Sequence, residues 1–86
     1  MPTGPTSSSN ENREEALRLV ACLSRLENEI LGGLVNGHSV GSIAAILSLA
    51  PAQVERTKGS MMLRLSALAT ADAIRIGLYA GVQWEH

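Results

Sequence analysis

Eighty-six residues with a formal charge of −1 are enough for one small domain and no more. Hydrophobic residues make up 45% of the chain, but Tyr79 and Trp84 are its only aromatics, and strand-forming runs of Val, Ile, Thr and aromatics are absent, which points away from strand-rich folds. The near-neutral balance excludes a general electrostatic nucleic-acid binder, although residues 51–75 are basic (Arg56, Lys58, Arg64 and Arg75 against Glu55 and Asp72).

Residues 1–10 have no apolar side chain after Met1, so they are expected to form a disordered tail. They lack the basic start and apolar run of a signal peptide, and no segment nears the ~20 apolar residues of a membrane span. A cytoplasmic chain without membrane contact is therefore expected. Residues 11–22 read as a helical lead-in, with Glu14 and Arg18 at the i,i+4 spacing of a helix pair. Cys22 stands alone, which rules out an internal disulfide, and its apolar surroundings suggest an inert buried thiol.

Ser24 and Glu27 have capping-box spacing, and the helix they open carries Leu26, Ile30 and Leu34 at four-residue steps. It ends at Asn36-Gly37. Gly32-Gly33 within it costs about 1 kcal/mol per Gly, a cost that close approach by another helix would explain. Ser39 can cap a short helix with Ile43 and Leu47 on its buried side. A break at residues 48–51 follows, and Pro51 suits the first turn of a longer helix. On that helix Val54, Met61 and Leu65 form one stripe. Gln53, Arg56, Thr57, Ser60 and Arg64 fall mainly on the other face, with Lys58 at its flank. A last helix spans about residues 69–80 and stops near Gly81. The expectation is an all-α bundle of four to five helices, and residues 37–65 have the outline of a helix-turn-helix.

Enzyme chemistry finds no foothold. His38 and His86 have no ligand partners at metal spacing, and no cofactor or small-molecule site is evident. Glu14-Glu15 and Glu27-Glu29 are expected on exposed helix faces, Ser7 to Ser9 have no neighbouring base, and no glycine-rich loop follows a strand.

From residue 23 to 82 the chain resembles the DNA-binding domain of LuxR/FixJ-type transcriptional regulators. Leu23-Ser24, Glu27, Glu29 and Ile30-Leu31 resemble the family's L-T-x-R-E-x-E-V-L, and Gly37-His38-Ser39 with Ile43-Ala44 and Leu47 resembles its G-x-S-N-K-E-I-A-x-x-L. Leu49, Val54-Glu55, Lys58, Met61 and Arg64-Leu65 fit the recognition segment, while Ala73-Ile74 and Gly81-Val82 fit the closing A-V…G-L. The resemblance implies a four-helix domain whose third helix reads DNA and whose fourth often makes a dimer contact. Residues 83–86 are then a C-terminal tail. Departures fall on polar positions: Leu26 for Arg, Val40-Gly41-Ser42 for N-K-E, Ala50 for Ser, Gln53 for Thr, Thr57 for His and Ala69-Thr70-Ala71 for N-R-T.

Double-stranded DNA is the expected partner. Gln53 and Arg56 would face bases and Lys58 and Arg64 phosphates, with Thr57 and Ser60 on the same surface. The last helix is apolar on more than one side, so Ile74, Leu78, Tyr79, Val82 and Trp84 are expected to meet a second copy or a protein partner. The leading expectation is a bacterial transcriptional regulator that binds DNA as a dimer. With no sensing domain read in the sequence, its control would come from expression level or a partner. The alternative is an interaction module of the same fold that has given up DNA, such as an anti-activator sequestering a regulator.

Overall fold

Five helices and no strand occur in the computed structural model, which describes residues 5–84, with side chains from residue 12 onward. They are α1 (Pro5–Ala21), α2 (Arg25–Val35), α3 (Val40–Leu47), α4 (Pro51–Leu65) and α5 (Thr70–Ala80). The expected tails at residues 1–4 and 85–86 lie outside the described residues. Over residues 5–10 the expected irregular tail is instead the first part of α1. Proline fits a first helical turn, and extending a helix avoids the cost of nucleating one.

Local chemistry sets the boundaries. At the start of α2, Ser24 Oγ accepts from the Glu27 amide (3.1 Å) while Glu27 Oε1 accepts from the Ser24 amide (2.8 Å), which completes a capping box. Ser39 caps α3 by accepting from the Ser42 amide at 3.1 Å. The starts of α4 and α5 are poorer. Ala50 has no side chain to cap with, and at Ala69 only Asp72 Oδ2 reaches back to the backbone amide, at 3.2 Å.

Each of α2 to α5 ends in a left-handed residue followed by an amide bonded back over the last turn. Gly37 and Gly81 take this conformation freely, whereas Ser48 (φ 59°) and Ser66 (φ 56°) take it with a side chain attached. Ser48 marks the helix-turn-helix corner, where the Leu49 amide bonds the Ala44 carbonyl at 2.8 Å.

The core gathers Ile30, Leu31, Ile43, Val54, Met61, Leu65 and Ala73, all essentially closed to water, and Leu23, Leu34 and Ala44 border it. Close approaches explain the small residues. A Cβ on Gly77 would stand 2.6 Å from Val35 Cγ2, so α5 lies tight on α2. A Cβ on Gly33 would stand 2.7 Å from Ile43 Cγ1, so α3 lies tight on α2 there. Gly32 instead receives Trp84, from the segment after α5. Helix α1 packs chiefly along α5, burying Ala16 and half-burying Leu19 and Val20.

Three sequence expectations are corrected. Cys22 is exposed, because Leu23 takes the inward position in the α1–α2 turn. Arg18 pairs with Glu15 (2.9 Å) rather than Glu14, one of the two spacings that a helix offers. Glu27 is 3% exposed, not on a solvated face.

Candidate nucleic-acid interface

Helix α4 turns its apolar stripe, Val54, Met61 and Leu65, fully into the core, held by α2 on one side and α3 on the other. At 100° per residue the direction opposite that stripe belongs to Ala52, Arg56, Gly59 and Leu63. Arg56 is exposed, Gly59 has open space above it, and Leu63 is 82% exposed. Gln53, Thr57, Ser60 and Arg64 line up along the flank nearer α2; all but the half-buried Thr57 are exposed. Lys58 is half-buried on the other flank, about 160° around the axis from Arg56. The structure therefore brings five of the six residues expected to meet DNA onto one broad surface and sets Lys58 apart.

Beneath the Gln53–Arg64 flank lies Glu27. Its Oε2 accepts from Ser60 Oγ at 2.7 Å and from Arg64 Nε at 3.1 Å, while its Oε1 holds the capping bond to Ser24. Burial is the largest influence on the Glu27 carboxyl and pushes its pKa up. Hydrogen bonds from the Ser24 amide, Ser60 and Arg64, with the charge of Arg64, outweigh burial and hold it below the ordinary 4.5. The capping-box spacing had already singled out Glu27. Nothing in the sequence, however, marks contacts made 33 and 37 positions away. Leu63 also belongs to the outward side of this helix, a place that follows from its position in the helical period.

The N-terminus of α4 has little to offer an anion. Pro51 has no amide hydrogen, and the Gln53 amide turns back to the Ala50 carbonyl at 3.0 Å. Recognition here would rest on side chains.

The residues expected at a partner interface divide. Leu78 and Tyr79 are exposed on α5 (62% and 40%), with Ile74 and Val82 half-buried against the core. Trp84 is turned inward: its Nε1 donates to Glu29 Oε1 at 3.0 Å, and its ring meets His38 edge-on with centroids 4.8 Å apart. Among the described residues no cluster of His, Cys, Asp or Glu could hold a metal ion, and no helix is long and apolar enough to cross a membrane.

Comparison with known proteins agrees with this geometry. The profile of the luxR family of bacterial regulatory proteins matches residues 21–76. The transcriptional regulatory protein FixJ of Azorhizobium caulinodans is 34% identical over 70 residues, which are 81% of this chain and 33% of that protein. A crystal structure of full-length FixJ from B. japonicum superposes with a TM-score of 0.77 at 26% identity, covering 90% of this chain and 38% of the other. The chain thus spans about a third of the length of one relative and 38% of the other.

Proposed function

This chain belongs to the luxR family of bacterial regulatory proteins, and on that premise we propose that it regulates transcription in the bacterial cytoplasm by binding double-stranded DNA with α4 in the major groove. One observation supports the reading: a helix-turn-helix corner at Ser48 presents α4 with its apolar stripe buried, Arg56 outward and Gln53, Thr57, Ser60 and Arg64 along one flank. Gln53 and Arg56 are assigned to base edges. Arg64 and, from the opposite flank, Lys58 are assigned to phosphates, with Thr57 beside them. A dimer through α5 goes with this reading and is supported by exposed Leu78 and Tyr79 beside Ile74 and Val82.

Anisotropy titration with mixed-sequence duplex DNA tests it, because real phosphate contacts make affinity fall steeply between about 50 and 200 mM salt. A folded protein that leaves the duplex free at about 50 mM salt rules the reading out. Equilibrium sedimentation tests the dimer, for which a strict monomer at high concentration is the contrary result.

A second reading, the same fold as a protein-interaction module, is favoured by one feature. Leu63 (82% exposed) and Leu68 (96% exposed) stand at the C-terminal end of α4 and in the loop after it, where a DNA-facing surface would ordinarily be polar.

A further inference from the structure

Arg64 is held along one edge only. Its Nε donates to Glu27 Oε2 at 3.1 Å, its terminal nitrogens make no hydrogen bond among the described residues, and its side chain is 55% exposed. A guanidinium is rigid and planar, so fixing Nε against a stationary acceptor fixes the direction of its remaining donors. Glu27 is stationary. It is closed to water, Oε1 takes the Ser24 amide at 2.8 Å, and Oε2 takes Ser60 Oγ at 2.7 Å. The arrangement is a carboxylate anchored in the capping box of α2 with one cation tethered above it, and that cation's outer edge is left for water or a ligand. The chemistry that suits such an edge is a bidentate oxyanion, of which a nucleic-acid phosphate is the case in point.

Resting on the DNA-binding reading above, we propose that Glu27 is a positioning residue for phosphate recognition: it clamps Arg64 through Nε so that the terminal fork faces the backbone of the bound duplex. Ser60 belongs to the clamp rather than to the DNA contact. Its single hydroxyl proton is shared between Glu27 Oε2 (2.7 Å) and the Thr57 carbonyl (3.0 Å), so it has none to give to a phosphate. The clamp also gives the buried acid of α2 a purpose at the reading surface that capping alone would not require.

A clamp and a merely structural ion pair predict opposite changes in affinity. Removing a negative charge next to a DNA-facing helix strengthens attraction to DNA by electrostatics alone. Removing a clamp frees the arginine, whose ordering must then accompany binding and weaken it. The experiment measures anisotropy of a labelled mixed-sequence duplex of about 30 base pairs, from about 50 to 200 mM salt, with circular dichroism melts establishing that each variant is folded. Glu27→Gln is expected to bind about 3- to 10-fold more weakly than wild type, Arg64→Ala is expected to lose a similar amount, and the double variant no more than either. The salt slope is expected to fall by about 0.9 in Arg64→Ala, one phosphate's worth, and to stay near that of wild type in Glu27→Gln, whose arginine keeps its charge. Folded Glu27→Gln protein that binds as tightly as wild type, or more tightly, overturns the proposal. Arg64→Lys decides the matter independently of how Glu27→Gln folds. It keeps the charge but replaces a tethered fork with one ammonium, so a loss like that of Arg64→Ala is expected and wild-type affinity overturns the clamp. Absence of binding by the wild type removes the DNA reading and the clamp together, whereas wild-type binding with unaffected variants removes the clamp alone.

Discussion

Trp84 closes over Gly32 so tightly that a Cβ on the glycine would stand 3.1 Å from the tryptophan Cβ and from Cδ1 of its ring. The contact carries the segment after α5 back across α2, where the indole donates to Glu29 and meets His38 of the α2–α3 loop. The segment after α5 is thereby joined, through one side chain, to α2 and the loop that follows it, about 50 residues earlier in the chain.

Trp84→Ala should therefore act on stability. Truncating a fully buried Trp typically costs 3–5 kcal/mol; half-burial and the loss of the Glu29 bond place this variant at about 2–3 kcal/mol. Urea unfolding followed by circular dichroism measures it. An unchanged midpoint would mean that the indole contributes nothing to the fold and is available to partners.

The glycines of α2 and α4 should respond in opposite directions to alanine. Gly33→Ala gains helix propensity of about 1 kcal/mol but drives a methyl to 2.7 Å from Ile43 Cγ1 and 3.3 Å from Trp84 Cη2. Net destabilisation of about 1–2 kcal/mol is expected. Gly59→Ala meets nothing within 4 Å and should stabilise by about 0.5–1 kcal/mol, raising the melting temperature. The same sign for both substitutions would contradict this packing.

At the corner of the helix-turn-helix, Ala50→Ser supplies the missing N-cap of α4. Ala50 already has the extended conformation of a cap (φ −71°, ψ 140°), so a hydroxyl there should bond the amide of the first turn and add about 1 kcal/mol. Thermal melts read the gain, and a loss of stability would show that the corner cannot accept the cap.

How much could be read from the sequence differs between layers of the molecule. Helix boundaries follow local rules, and Ser24, Ser39, Pro51 and Gly81 mark them where expected. The buried stripe of α4 follows equally from its period, and the joint spacing of apolar positions identified the family. Side-chain pairings across helices do not follow from local rules. Glu27 looked like a surface acid until α4 brought Ser60 and Arg64 over it, and Trp84 looked like a free anchor until the chain turned back at Gly81. Cys22 failed for a similar reason, since apolar neighbours in sequence say nothing about which of them a turn points outward.

Acid should weaken the wild type more than a variant without the Glu27 charge. The Glu27 carboxyl titrates below its ordinary 4.5 in the folded chain, so its contribution is complete above that value and is lost as pH falls through the lower folded value. Glu27→Gln should be less stable than wild type near pH 7, with the gap narrowing from about pH 5 downward. Urea midpoints across that range test it, and a gap that widens in acid would mean the carboxyl's pKa is raised in the folded state.

On DNA, the two cations of mid-α4 should separate. Arg56 stands on the outward side of the helix, whereas Lys58 is half-buried about 160° away, on a flank that leans toward the core. A base edge is reachable only from the outward side, and a bidentate arginine contact is worth about 1–3 kcal/mol of discrimination. Arg56→Ala should thus lose roughly 10-fold in affinity for a preferred sequence and flatten the preference among sequences. Lys58→Ala should weaken all sequences alike, and by less, because its ammonium must reach a phosphate along its whole aliphatic stem. Competition titrations with a small panel of duplexes measure both quantities at fixed salt. Lys58→Ala changing the sequence preference while Arg56→Ala leaves it intact would mean that α4 enters the groove rotated by nearly half a turn from this orientation.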